Sequence, residues 1–139
     1  MPSIIISPKA SEQDHQFLLE RLVSFNDEIG GASGYEPVAI LIKADDGEPI
    51  GGLWGKISYD WLFVDILIVP KELRGSGFGA QLMEAAERAA RNVGCVGVWL
   101  DTHGFQAPEF YRKLGYETFG ELPDHPRGTS RHFFRKLLA

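Results

Sequence analysis

The chain has one cysteine, no long hydrophobic run and no excess of positive charge, and each of these deficits excludes a class of protein. Cys95 has no second cysteine to pair with, which argues against a disulfide-stapled secreted scaffold. No stretch reaches the roughly 20 consecutive apolar residues of a membrane-spanning helix. The formal net charge of −5 leaves no basic stripe to offset nucleic-acid phosphates. We therefore predict a cytoplasmic protein that binds neither membranes nor nucleic acid.

The composition that remains is typical of a globular domain. Hydrophobic residues make up 44% of the chain and aromatic residues 12%, so the sequence can form a packed core. A length of 139 residues is ordinary for one domain. We predict a single domain over residues 1–139.

Hydrophobic periodicity and turn residues predict alternating strands and helices. Ile4–Ser7 is predicted as a first strand, and Ser11 as the N-cap of a helix with Phe17, Leu18, Leu22 and Phe25 facing the core. An antiparallel meander is predicted first, and its last strand leads into a helix and a further strand. That further strand is predicted to be parallel to the one before the helix, because a strand-helix-strand crossover returns to the same sheet. The further strands are predicted at Val38–Lys43, Pro49–Ser58, Trp61–Val69, Val96–Asp101, Tyr116–Phe119 and Ser130–Leu137, with a short helix at Gln106–Leu114.

A glycine-rich turn follows the strand Trp61–Val69 and opens a helix. It consists of Arg74, Gly75, Ser76, Gly77, Phe78, Gly79 and Ala80. Its alternate glycines carry no Cβ and tolerate positive φ, so consecutive backbone N–H groups can converge on an anion. The positive end of the helix dipole and the charge of Arg74 favour the same ligand. The turn therefore predicts a pyrophosphate site.

The helix after this turn is predicted to be amphipathic. Leu82, Ala86 and Ala89 recur on one face at helical spacing. The pairs Glu84/Arg88 and Glu87/Arg91 are placed on the outer face as i,i+4 ion pairs.

Two nucleotide-like ligands are compatible with the turn. Gly75, Gly77 and Ala80 satisfy the dinucleotide fingerprint, and Asp101 ends the next strand where a ribose-binding acid belongs. However, Pro70–Leu73 separate the fingerprint from its strand, and only about 60 residues remain for the second half of a dinucleotide fold.

The turn also fits the pattern Arg-x-x-Gly-x-Gly, placed five residues after Val69. A second block, Phe105-Gln-Ala-Pro-Glu-Phe-Tyr-Arg-Lys-Leu-Gly-Tyr116, follows in the expected order. Together these motifs resemble the GNAT superfamily of acetyl-CoA-dependent N-acetyltransferases, over roughly Ile50–Leu138. The resemblance implies an α/β fold with a central mixed, mostly antiparallel sheet. That sheet is splayed between its fourth and fifth strands and flanked by helices.

The resemblance also implies where acetyl-CoA binds. The turn would hold the pyrophosphate, and the gap beside Leu67, Ile68 and Val69 would admit the pantetheine arm. In the family, a bulge in the fourth strand leaves backbone N–H groups unpaired, here near Ile68 or Val69, to hold the oxyanion. Phe110 belongs to the cofactor-binding block. Gln106 stands where many members carry the asparagine that contacts pantetheine, and it is a candidate replacement.

Two side chains are candidates for proton transfer. Tyr111 occupies the position of the family's general acid. The alternatives are that its ring only packs on pantetheine or that Tyr116 acts instead. Asp65 is the candidate base, because it is the only charge in Trp61–Val69, although a structural carboxylate is equally compatible. His103 is either a proton relay or a solvated loop histidine.

The predicted function is transfer of an acetyl group from acetyl-CoA to a primary amine by direct attack in a ternary complex. Cys95 lies in a buried-looking strand entry, so no covalent acetyl-enzyme is expected. No histidine, cysteine and carboxylate set has metal-ligand spacing, and no metal is predicted. The alternative is a non-catalytic acyl-CoA-binding module or sensor. The resemblance implies that the acceptor, a small-molecule or peptide amine, binds around Ser24–Tyr35 and Leu122–Gly128. A homodimer is compatible with the sequence.

Overall fold

A computed structural model describes all 139 residues, which divide into two compact units, residues 1–33 and 34–139. The first unit contains one helix, α1 (Glu12–Gly30). Ser11 is its N-cap, as predicted, and the Ser11 hydroxyl accepts a 3.1 Å hydrogen bond from the backbone N–H of Asp14. The predicted strand Ile4–Ser7 is wrong. These residues are exposed and no strand of the sheet pairs with them.

The apolar face of α1 has no partner within residues 1–33. Phe17, Leu18, Leu22 and Phe25 are 55%, 64%, 54% and 60% exposed, and no residue of α1 is buried. That these side chains face the core stays a prediction, because residues 1–33 contain no second helix or strand for them to pack against. Periodicity correctly indicated an amphipathic helix, but it does not identify the surface against which such a helix packs.

The second unit is built on a six-stranded sheet with the order β1-β2-β3-β4-β6-β5. All neighbouring strands are antiparallel except β3 and β4. The predicted fold class, a mixed and mostly antiparallel sheet with flanking helices, is confirmed. The strands are β1 (Glu36–Lys43), β2 (Pro49–Ser58), β3 (Trp61–Ile68), β4 (Gly97–His103), β5 (Glu117–Pro123) and β6 (Ser130–Leu137).

Two helices accompany the sheet. A short 3₁₀ turn (Lys71–Leu73) leads from β3 into α2 (Phe78–Asn92), and α3 (Pro108–Lys113) lies between β4 and β5. Helix α2 packs on β1, β2, β3 and β4. The core between helix and sheet includes the fully buried side chains of Leu62, Met83, Val98, Leu100 and Phe134. None of the helices has the length and apolar character needed to cross a membrane.

The parallel strands β3 and β4 pair over four residues only. Their register runs from Trp61 opposite Gly97 to Val64 opposite Leu100, and beyond that point the two strands separate. The splayed gap therefore exists, but it falls between the third and fourth strands because the predicted N-terminal strand is absent.

A β-bulge marks the point where the gap opens. Val64 pairs with Gly55 and Ile66 with Trp54, so Asp65 is an extra residue on β3. The sequence interpretation associated the bulge with Ile68 and Val69, and the structure places it three residues earlier. A bulge bends its strand, which fits the separation of β3 from β4 at this point.

Candidate active site

The gap between β3 and β4 forms one end of a cavity of about 750 Å³. Its other walls come from the turn before α2 and from the start of α3. Apart from the alternatives Tyr116 and His103, every residue proposed for the site from the sequence lines this cavity except Ser76, which is exposed. The lining residues are Val64, Asp65, Leu67, Ile68, Val69, Leu73, Arg74, Gly75, Gly77, Phe78, Gly79, Ala80, Leu100, Asp101, Thr102, Gln106, Ala107, Phe110 and Tyr111.

The three glycines of the turn have two different roles. Gly75 and Gly77 have φ of +84° and +87°, a region that side chains disfavour, and Gly77 is the N-cap of α2. The unpaired N–H groups of the first turn of α2 thus face the cavity end where Gly77 and Phe78 lie. Gly79 is helical instead. A Cβ there would lie 3.0 Å from Cζ of Phe110, so this glycine allows α2 and the Phe110 ring to approach.

Arg74 supplies the positive charge at this end of the cavity. Its Nε donates to the carbonyl oxygen of Val69 at 3.4 Å, which ties the turn to the end of β3. The terminal nitrogens of the guanidinium make no hydrogen bond within the chain. They are free to bind an anion in the cavity, and a guanidinium is suited to phosphate oxygens.

Tyr111 lies on the opposite wall with its ring buried. The ring contacts those of Phe110, Tyr116 and Phe134 at centroid distances of 5.0, 6.2 and 5.9 Å. Burial, with a smaller contribution from the charge of Asp101, raises the pKa of Tyr111 to about 12. The phenol is therefore neutral throughout the physiological pH range and can donate a hydrogen bond into the cavity.

Tyr116, the alternative acid, does not line the cavity. Its hydroxyl donates a 2.9 Å hydrogen bond to Oε2 of Glu87, inside the core. Burial and then the Glu87 carboxylate raise the pKa of Tyr116 far above its ordinary value. Of the two tyrosines, only Tyr111 is placed to meet a ligand in the cavity.

Asp65, the candidate base, is exposed at the bulge and lines the cavity. It makes no hydrogen bond or ion pair within the chain, so the structure does not give it a structural partner. His103 lies elsewhere. Its Nδ1 is 2.9 Å from the carbonyl oxygen of His125, and its ring stacks between Phe105 and His125. It is a half-buried side chain that does not line the cavity, rather than a solvated loop residue.

Gln106 is held by its carbonyl end. Its Oε1 accepts hydrogen bonds from Oγ1 of Thr102 at 2.9 Å and from the backbone N–H of His103 at 2.6 Å. The side-chain amide nitrogen makes no hydrogen bond within the chain. A free N–H donor on the cavity wall is what a replacement for the family's asparagine contact requires.

Sequence reasoning missed the β4 wall of the cavity. Leu100, Asp101 and Thr102 line it, and the predicted gap beside Val96–Asp101 would have indicated the end of this strand. Asp101, considered above as a ribose-binding acid, instead accepts two hydrogen bonds from Arg131, at 2.9 and 2.6 Å. No three histidine, cysteine, aspartate or glutamate side chains are grouped so that they could hold a metal ion.

The splayed sheet and the glycine-rich turn before α2 are the two features that the sequence resemblance implied. Residues 7–116 match the sequence model of the acetyltransferase (GNAT) family, and the chain belongs to that family. The resemblance found in the two motifs is thus confirmed. The family match replaces the alternative interpretation of Gly75 and Gly77 as a dinucleotide-binding fingerprint.

Individual relatives agree with this assignment. The chain is 37% identical over 133 residues to a blasticidin-S acetyltransferase of Streptomyces morookaense, and the match covers 86% of this chain and 98% of the relative. A crystal structure of an Agrobacterium tumefaciens protein assigned as an acetyltransferase gives a TM-score of 0.93 at 31% identity, covering 99% and 100% of the two chains. The crystal structure of an aminoglycoside 6'-N-acetyltransferase complexed with coenzyme A shares the fold, with a TM-score of 0.65 at 19% identity over 73% of each chain.

Proposed function

We propose that this protein transfers an acetyl group from acetyl-CoA to the primary amine of a small molecule, by direct attack in a ternary complex. The observation that supports the proposal most directly is one continuous cavity. It joins the anion-binding turn at Arg74, the unpaired edge of β3 and the neutral phenol of Tyr111. A nucleotide whose long arm ends in a reactive carbonyl would contact these three parts of the cavity in turn.

The residues around the cavity fit acetyl-CoA, the cosubstrate of the family. Arg74 and the N–H groups at the start of α2 would bind the pyrophosphate. Beyond Val64, β3 has no neighbouring strand on the side of β4, so part of its backbone is available to hydrogen-bond the amides of the pantetheine arm. Acetyl-CoA itself supplies an activated acetyl thioester.

The chain would stabilise the transition state through the same strand edge. Ile68 and Val69 line the cavity at the end of β3, and a backbone N–H there can hold the oxygen that gains negative charge during the attack. A fixed backbone donor needs no reorganisation during the reaction, which is why such groups are effective.

Tyr111 would donate a hydrogen bond to the departing sulfur. Its pKa of about 12 lies well above the roughly 8.5 of an ordinary thiol. Complete proton transfer to a solvated thiolate would therefore be uphill by about 5 kcal/mol, at 1.36 kcal/mol per pKa unit. A hydrogen bond from Tyr111 to the sulfur requires only that the phenol is neutral. Complete proton transfer becomes feasible where the buried surface around Tyr111 also raises the pKa of the coenzyme A thiol.

Direct attack is favoured because no cysteine or serine nucleophile lines the cavity, and the Thr102 hydroxyl there donates a hydrogen bond to Gln106. The lining contains no cysteine, serine or histidine. Cys95 is buried elsewhere, and burial followed by the charge of Asp60 raises the pKa of its thiol. A thiol in that state is a poor nucleophile.

Asp65 would receive the amine. An exposed carboxylate without a partner attracts an alkylammonium ion and can accept its proton, directly or through water. The net charge of −5 favours approach of the same cation. We take blasticidin-S as the first acceptor to test, because a relative that shares 37% of its residues with this chain is named for that compound.

The test combines calorimetry with acetyl-CoA and an assay of thiol release across a panel of amines that begins with blasticidin-S. Arg74→Ala should weaken acetyl-CoA binding by about 1.5–3 kcal/mol, the contribution of a charge-assisted hydrogen bond. Arg88→Ala removes the same charge from the exposed face of α2 and should bind as the wild type does. Failure to bind acetyl-CoA would refute the proposal. Binding without turnover on any amine would favour the non-catalytic acyl-CoA-binding module instead.

A further inference from the structure

The end of β4 and the turn that follows it hold Gln106 through three hydrogen bonds. Oε1 of Gln106 accepts from Oγ1 of Thr102 at 2.9 Å and from the backbone N–H of His103 at 2.6 Å. The backbone N–H of Gln106 donates in turn to the carbonyl oxygen of His103 at 2.9 Å. Both the backbone and the side chain of Gln106 are therefore fixed against β4.

The backbone N–H of His103 determines which end of the Gln106 amide is held. A backbone N–H can only donate, so the atom that it contacts is the carbonyl oxygen and not the amide nitrogen. A threonine hydroxyl can bond to either end of an amide, but the partner of Thr102 is the same oxygen, so this hydroxyl is the donor. The two N–H groups of the Gln106 amide are consequently left for a ligand, and Gln106 lines the cavity.

Thr102 is well placed to orient this amide. It lies on β4 two residues beyond Leu100, the last residue of β4 that pairs with β3, and it lines the cavity together with Gln106. Thr102 is only 4% exposed, so water has little access to its hydroxyl. A β-branched side chain has a restricted χ1 angle, so the backbone of β4 largely sets the direction of that hydroxyl. Its hydrogen-bond partner within the chain is Gln106 alone.

We propose that Thr102 is a positioning residue, which turns the Gln106 amide so that its N–H donors face the pantetheine arm of acetyl-CoA. The amide carbonyl groups of that arm accept hydrogen bonds from such donors. Without the Thr102 hydroxyl, the Gln106 amide would be held by the backbone of His103 alone, and binding would have to order it further. This inference rests on the proposed binding of acetyl-CoA.

The first test is a double-mutant cycle on the affinity for acetyl-CoA, measured by calorimetry. Thr102→Val keeps the branched shape and removes the hydroxyl, and it should raise the dissociation constant about 2–10-fold, as loss of one hydrogen bond between neutral groups would. In a Gln106→Ala background the same change should have no further effect, because the hydroxyl then has no partner. Thr102→Ser keeps the hydroxyl and should recover most of the affinity. Thr118→Val, on the exposed strand β5, is the matched control and should bind as the wild type does.

The outcomes of this cycle separate the positioning role from the proposed function. A wild type that does not bind acetyl-CoA would overturn both. A dissociation constant that Thr102→Val leaves unchanged would overturn the positioning role alone. Losses from Thr102→Val and Gln106→Ala that add up in the double variant would also overturn it, because Thr102 would then act on the ligand independently of Gln106.

Nuclear magnetic resonance provides a second test, which needs no variant of Thr102. The side-chain amide signals of Gln106 are identified by their absence from the spectrum of Gln106→Ala. Addition of acetyl-CoA to the wild type should shift these signals, because the N–H groups then bind the ligand. Amide signals that stay in place while acetyl-CoA binds would overturn the proposal.

Discussion

Removal of the Glu87 carboxylate should destabilise the protein more than removal of any surface carboxylate. The side chain of Glu87 is 6% exposed, and its two oxygens accept hydrogen bonds from Tyr116 Oη at 2.9 Å and Lys136 Nζ at 3.0 Å. Arg91 lies 4.0 Å away at the edge of the same cluster. Lys136 also donates to the carbonyl oxygen of Leu114 at 2.9 Å, so the cluster joins α2, the end of α3 and β6.

The magnitude follows from what Glu87→Ala leaves behind. Breaking a buried ion pair by removing one partner costs about 3–5 kcal/mol, because the other charge stays buried without compensation. Lys136 is 27% exposed and keeps its bond to Leu114, so we expect about 3 kcal/mol, the lower end of that range. With a urea m-value of about 2 kcal/mol/M, the unfolding midpoint should fall by about 1.5 M.

Urea unfolding followed by circular dichroism measures this change, and the chain offers a matched control. Glu117 pairs with Arg135 at 3.0 Å on the surface, with the two side chains 62% and 46% exposed. Glu117→Ala should therefore cost only about 0.2–1 kcal/mol. The double variant Glu87→Leu/Lys136→Met, which removes both charges, should recover most of the stability lost in Glu87→Ala. Equal midpoints for Glu87→Ala and Glu117→Ala would refute the reasoning.

Two further substitutions test the cavity wall. Tyr111→Phe should lower kcat and kcat/KM together and leave the affinity for acetyl-CoA close to that of the wild type. The reason is that the hydroxyl acts only as negative charge develops on the sulfur. An unchanged kcat would show that Tyr111 has no part in the mechanism. Gly79→Ala should raise the KM for acetyl-CoA and cost about 1–3 kcal/mol of stability, since its Cβ would press on the Phe110 ring. Gly30→Ala, which meets no atom within 4 Å, is the control. Equal stability and KM in both glycine variants would contradict the close approach.

The strands and the turn could be predicted because their signals are local. Pro49–Ser58 and Ser130–Leu137 have the predicted bounds, and Asp46 and Gly47 lie in the turn between β1 and β2. Period-two alternation and turn residues act over a few positions, and the chain obeys them wherever a neighbouring strand is available. Ile4–Ser7 shows the limit, because the same local signal occurs there without a strand to pair with.

Glu87 shows why the interior of the site could not be predicted in the same way. Its spacing to Arg91 suggested an exposed ion pair on the outer face of α2, yet its carboxylate is buried against Lys136, 49 residues away. Local sequence patterns predict that a charged residue is exposed to solvent. Its burial is favourable only when another part of the chain, often distant in sequence, supplies a side chain that pairs with the charge. Asp101 is a second example, because this residue of β4 pairs with Arg131 of the neighbouring strand β6, 30 residues away. Burial raises the pKa of both tyrosines, and the carboxylates add to it, Glu87 at Tyr116 and Asp101 at Tyr111. Tyr111, the first candidate acid in the sequence, and Tyr116, the alternative, are thus distinguished by contacts that only the folded sheet creates.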